Sequence, residues 1–192
     1  MRPLVLSLLL VCFCLTLNAQ TSPKNDPSPS GPSLQDTAQW IVSKLVLTGY
    51  DNTNVASRSV YAALSAKIDS CVLTYSAHSS SSNNTNHREF GWDETHTFHL
   101  GAIGSVSAFQ TTSTYDVVAA LTSQADMVTY TNVYGYPTPL IMPPARTNVA
   151  FPFGLANGQD NNDLSTRMQK ALTHVAELCV ASYKERNGKE PF

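Results

Sequence analysis

Residues 160–188, DNNDLSTRMQKALTHVAELCVASYKERNG, carry the longest helical periodicity in the chain. Leu164, Met168, Ala171, Leu172, Val175, Leu178 and Cys179 form one apolar stripe, while Arg167, Lys170, Glu177 and Lys184 face away. A stripe this wide must be covered, either by a sheet or by the open end of a barrel. Asn162 or Asp163 can cap the start and Gly188 lies past the end. A shorter amphipathic helix is predicted near the front: Ser33 caps it, Leu34, Ala38, Ile41 and Leu45 recur at helical spacing, and Gly49 ends it.

Between the helices, β-branched and aromatic residues alternate with polar ones, which predicts about seven strands. In KIDSCVLTYS, read as one strand, Cys71, Leu73 and Tyr75 share a face. Others are expected near 58–64, 94–100, 105–110, 115–121, 126–132 and 147–151. HSSSSNNTNHREFG, residues 78–91, reads as an exposed flexible loop joining two strands. The expected class is α+β. An N-terminal helix, a seven-stranded antiparallel curved sheet or barrel and a long C-terminal helix follow the element order of a pleckstrin-homology-like barrel. A helix-capped curved sheet with other connections is the rival.

Ahead of this domain, MRPLVLSLLLVCFCLTLNAQ has one early charge, an apolar run from Leu4 to Leu15 and a small residue at Ala19. That is the layout of a secretory signal peptide, with cleavage expected after Ala19. The run is too short to span a bilayer, and no second membrane segment is expected after it. Residues 20–33 hold five Pro or Gly and no large apolar side chain, and read as a flexible leader to one domain over 34–192. A formal charge of −2 with scattered basic residues argues against a nucleic-acid partner. Two cysteines, Cys71 and Cys179, remain after cleavage. In an oxidising compartment they can form a disulfide, but both fall on apolar faces, and two buried free thiols packed as small hydrophobes are the favoured reading.

The segments TAQWIVSKL, FHLGAIGSVSAF and ALTHVAELC, with the terminal EPF, resemble uncharacterised secreted bacterial proteins that carry a domain of unknown function. Those proteins have a signal peptide, an N-terminal helix, a β-rich centre and a closing helix of this kind. The resemblance implies export from a bacterial cell. It implies no activity and no catalytic residues, and the Ser/Asn stretch and the proline-rich 137–144 depart from it.

Asp93, Glu94, His96 and His99 form the densest group of potential ligands, in WDETHTFHL. A metal-dependent hydrolase would need at least three of them on one pocket. On a strand His96, Phe98 and Leu100 face one way and His99 the other, so the two histidines diverge. The blander reading is an amphipathic strand with His96 at the core margin. His174 and Cys179, five apart on a helix, also diverge. GLANGQDNND, 154–163, could hold calcium or simply lead into a helix cap. YGYPTPLIMPP, 134–144, places Tyr134, Tyr136, Leu140 and Met142 on a loop suited to ligand binding, or to folding over the sheet.

The expected function is a periplasmic or secreted binding or structural module with no cofactor and no catalytic residue. Its partner would be a protein or small molecule of the cell envelope. The alternatives are the hydrolase and an apolar-ligand carrier with a hollow core lined by Cys71, Leu73, Tyr75 and Leu172.

Overall fold

The computed structural model of the chain describes residues 31–122, 126–135, 145–154 and 161–187. The first helix, α1 (Leu34–Leu45), starts at Ser33, whose hydroxyl accepts from the Asp36 backbone N–H at 3.1 Å and donates to the Asp36 carboxylate at 2.6 Å. That reciprocal bond satisfies an orphan donor and places an acid at the positive end of the helix dipole. The last helix, α2 (Asn161–Asn187), buries Met168, Leu172, Val175, Ala176 and Cys179. It begins before the expected cap: Asn161 is already helical, and its side-chain amide donates to the Gly154 carbonyl. The signal-peptide reading lies outside the described residues, as do residues 155–160 of the calcium candidate. Among the described residues no helix is long and apolar enough to cross a membrane.

The strands are β1 (Gly49–Thr53), β2 (Ser57–Asp69), β3 (Val72–Asn83), β4 (Arg88–His99), β5 (Ile103–Gln110), β6 (Thr114–Leu121), β7 (Asp126–Tyr134), β8 (Ala145–Arg146) and β9 (Asn148–Gly154). Nine described strands replace the expected seven, in the order β5-β6-β9-β1-β2-β3-β4-β7-β8. Neighbours are antiparallel except for one parallel contact, Gly49 with Phe153 of β9. The protein is α+β with a mostly antiparallel sheet, but the barrel expectation is corrected. Among the described residues β5 and β8 end the order and do not pair with each other, so the sheet is open.

Two local readings are also corrected. KIDSCVLTYS is a hairpin and not a strand: Ser70 and Cys71 have φ of 47° and 68°, joining β2 to β3 in a two-residue turn. A tight hairpin needs left-handed conformations at both central positions, and the usual Asn-Gly signal is missing here. Residues 78–91 are mostly strand. Ser79 to Asn83 pair with β2 on one side and β4 on the other, leaving only residues 84–87 as the tip. Backbone bonds to two neighbours override the poor strand preference of serine.

Leu73, Tyr75, Phe98, Val117, Val149 and Phe151 form one apolar cluster with Ile41, Leu45, Met168 and Leu172. Tyr75 meets Phe151 edge to face at 5.3 Å. α2 lies against β5, β6, β9 and the 3₁₀ turn Leu100–Ala102, and α1 against β2 and α2. At Gly101 a Cβ would stand 2.5 Å from the Cys179 carbonyl oxygen, so only glycine lets the helix approach this closely. Cys71 and Cys179 are joined by a disulfide across 108 residues, with their Cα atoms 5.7 Å apart.

A bridge closing a loop of this length removes chain entropy from the unfolded state. Replacing both cysteines with alanine is expected to lower stability by about 4 kcal/mol. Urea unfolding of the pair variant against the oxidised protein checks this. An unchanged midpoint would show that the bridge carries no stability.

Candidate functional site

Strand β4 places its ionisable side chains on two sides. Glu94 and His96 point inward, 6% and 2% exposed, with His96 Nε2 3.3 Å from Glu94 Oε1. Two-residue spacing on a strand aligns them, as alternation requires. The indole N–H of Trp92, two residues earlier on the same side, donates to Glu94 Oε2 at 3.3 Å. Arg146 on β8 reaches within 3.7 Å of that oxygen, lies over the Tyr130 ring and donates to the Tyr130 hydroxyl.

Asp93 points the opposite way. It accepts from His78 Nδ1 at 2.6 Å and from the Asn132 amide at 2.5 Å. His99 sits at the strand end, where Nδ1 accepts from the Gly101 N–H at 3.1 Å and Nε2 lies 3.3 Å from the Ser182 hydroxyl. Of the four residues singled out in 93–99, only Glu94 and His96 come together. Among the described residues no group of three or more His, Cys, Asp or Glu is placed to hold a metal ion.

Glu94 and His96 form one wall of a cleft of about 470 Å³. Its other walls come from strands far apart in sequence. β1 supplies Tyr50 and Asn52, β2 Ser59 and Tyr61, β6 Thr114 and Asp116, and β8 Arg146. The Tyr50 and Tyr61 rings are nearly parallel, 6.0 Å apart with 12° between planes. Behind them, the Tyr75 hydroxyl shares hydrogen bonds with Tyr61 and with Thr48, the latter at 2.5 Å. The hydroxyls of Thr111, Ser113 and Thr114 line one side, and Thr114 donates to Asp116 Oδ1 at 2.5 Å.

The electrostatics follow from this packing. Burial pushes the Glu94 carboxyl up, but the hydrogen bond and charge of His96, with Trp92 and Arg146, outweigh it and hold the group below the usual glutamate range. Burial raises the phenols of Tyr50, Tyr61 and Tyr75, and the nearby charge of Glu94 raises all three further. The tyrosines therefore stay neutral at physiological pH, acting as donors and ring faces and never as bases.

Tyr134, from the expected binding loop, stands elsewhere. It is 39% exposed and stacks on His78 at 6.5 Å, over the bare backbone of Gly91. Tyr136, Leu140 and Met142 lie outside the described residues. His174 lies 3.0 Å from the Pro32 carbonyl oxygen through Nε2. The cleft itself escaped sequence reasoning, since no local motif ties Tyr50, Asp116 and Arg146 together. The only available signal was the Glu94–His96 pair at strand spacing.

Because Glu94 is held ionised in the folded state, its contribution to stability is fully present above the unfolded glutamate pKa of about 4.3 and is lost as pH falls through the lower folded value. Asp93 behaves alike, held down first by the Asn132 amide and then by His78. Glu94→Gln should flatten the acid limb of a stability-versus-pH curve between about pH 5 and pH 2. Glu94→Ala should cost about 3 kcal/mol at pH 7, since it removes one member of a buried ion pair. An acid limb identical in wild type and Glu94→Gln would show that the pair is not coupled to folding.

Compared with protein-family models, curated proteins and solved structures, the chain finds no match to any of them.

Proposed function

We propose that the protein is an exported, non-catalytic binding module that holds a small, hydroxyl-rich ligand of the cell envelope in the Glu94–His96 cleft. The observation that carries this reading is an ionised carboxylate, 6% exposed, in the wall of an open cleft. Taking a carboxylate out of water costs several kcal/mol, and well-packed apolar side chains would stabilise a scaffold better. Glu94 and Asp116 can accept from ligand hydroxyls, and Asn52, Arg146 and the threonines can donate to them. The flat Tyr50–Tyr61 pair offers a ring face to the C–H side of such a molecule. A cleft of this volume falls within the range of small-molecule sites.

Export is supported by the N-terminal apolar run and by the Cys71–Cys179 bridge, which belongs to oxidising compartments. The pleckstrin-homology-like topology has only element order behind it, antiparallel strands followed by a long helix, and the binding reading does not depend on it. The hydrolase reading retains Glu94 and His96 alone. A glutamate held below its ordinary range is also a poor proton acceptor or donor near neutrality, where acid–base work needs it raised. The apolar carrier has less support, because Cys71, Leu73, Tyr75 and Leu172 pack within the main apolar cluster.

Titration calorimetry against neutral mono- and disaccharides and linear polyols tests the proposal. At least one compound is expected to bind, and Asn52→Ala and Asp116→Asn are each expected to weaken it about tenfold, the loss of one ligand hydrogen bond. Absence of binding across the panel, or binding that ignores both substitutions, would sink it.

A further inference from the structure

Strand β5 ends the sheet, and among the described residues no strand pairs along its outer side, where only the Gln169 side chain of α2 reaches a backbone group. Which of its backbone groups face outward follows from the hairpin to β6. Thr111 N–H donates to the Thr114 carbonyl at 2.8 Å, making this a hydrogen-bonded pair. Antiparallel pairs alternate, so Phe109 with Asp116 and Ser107 with Val118 also bond to β6. Val106, Ala108 and Gln110 then direct their N–H and C=O groups to the free edge. The Gln169 side chain supports this independently: its amide donates to the Val106 carbonyl at 3.0 Å, an oxygen that must point away from β6.

Natural sheets blunt such an edge with charge, proline or shortness. The opposite edge has two of these, since β8 is two residues long and carries Arg146. β5 has none. Ile103–Gln110 reads IGSVSAFQ, eight residues without a charge or a proline. Beside it a groove of about 310 Å³ between β5 and α2 is lined by Ile103, Val106, Ala176 and Val180. Val180 is 39% exposed, and Phe109 49%.

We propose that β5 pairs antiparallel with β5 of a second copy of this chain, about a two-fold axis at Ser107. In that register Val106 of each copy exchanges two backbone hydrogen bonds with Ala108 of the other, four bonds in all. The second copy's Ala108 N–H replaces Gln169 on the Val106 carbonyl. Ser107 faces its own counterpart in a non-hydrogen-bonded position, and Ser105 faces Phe109 of the second copy. The strand suits itself better than an unrelated peptide. Being uncharged, it opposes no like charges when paired with its copy and offers no charge by which to select a different sequence.

Sedimentation equilibrium of the full chain over a wide concentration range is expected to show a monomer–dimer equilibrium. Ala108→Pro removes a free-edge donor without touching the β5–β6 ladder, and Ser107→Lys sets two ammonium groups face to face on the axis. Each is expected to weaken the dimer at least tenfold while leaving the unfolding midpoint of the dilute monomer unchanged. A third variant does not depend on weakening anything. At the axis the two Ser107 Cα atoms would lie about 4.5 Å apart, close enough for a disulfide. Ser107→Cys should oxidise to a covalent dimer much faster than Ser105→Cys or the unsubstituted chain. A monomer at every concentration, a dimer indifferent to Ala108→Pro and Ser107→Lys, or equal cross-linking of the two cysteine variants would each overturn the proposal.

Discussion

The position of α2 governs the rest of the structure, and one covalent contact fixes it. Cys71 lies in the two-residue turn between β2 and β3, and Cys179 lies on the buried stripe of the helix. Joining them brings the helix down on the turn and on the adjacent Gly101, which has no side chain to hold it off. Val175, Leu172 and Met168, about one, two and three turns earlier, then enter the same cluster as Leu73, Tyr75 and Phe98. A helix of 27 residues would otherwise have many ways to cover an apolar face. Tying one end selects among them before packing has to.

With the helix placed, the sheet has two kinds of interior. Around α2 it is apolar and closed. Along β4 the character changes within five residues, from Phe98 in the core to His96 and Glu94 at the cleft. An ion pair in such a place adds little to stability in itself, because desolvation offsets the attraction. What makes Glu94 tolerable is the number of its partners: an imidazole, an indole N–H and a guanidinium within reach. Those same groups keep it charged. The cleft is polar because the sheet can support one ionised carboxylate there, and no arrangement of apolar side chains would leave hydrogen-bonding capacity for a ligand.

The parts of this architecture legible from residues alone are those set by short-range periodicity. Ile41 and Leu45 in α1, and Met168, Leu172 and Val175 in α2, follow a 3.6-residue repeat that survives any tertiary context. Alternation likewise placed His96 with Phe98 and turned His99 away. It could not reveal the Ser70–Cys71 turn, where two non-glycine residues take left-handed conformations that tertiary contacts impose. Nor could it show Ser79–Ser82 as strand, since those residues owe their state to β2 and β4 on either side. The cleft was further out of reach. Glu94 meets Arg146 across 52 residues, and Asp116 faces the same space from β6, nearly at the other end of the strand order. Such convergence belongs to topology, which local patterns do not encode.

Arg146 shows how closely the site and the edges of the sheet are linked. A charged residue on a two-residue edge strand discourages pairing with another chain. Here the same guanidinium turns inward, crosses the Tyr130 ring and balances Glu94, so one side chain both protects an edge and completes the cleft. At the other end of the order β5 has no equivalent. Its serines and alanine need no counter-charge, and no cleft beside it requires one. Among the described residues, the edge left without charge is the one beyond which no strand pairs, and an identical strand laid there would meet no electrostatic repulsion.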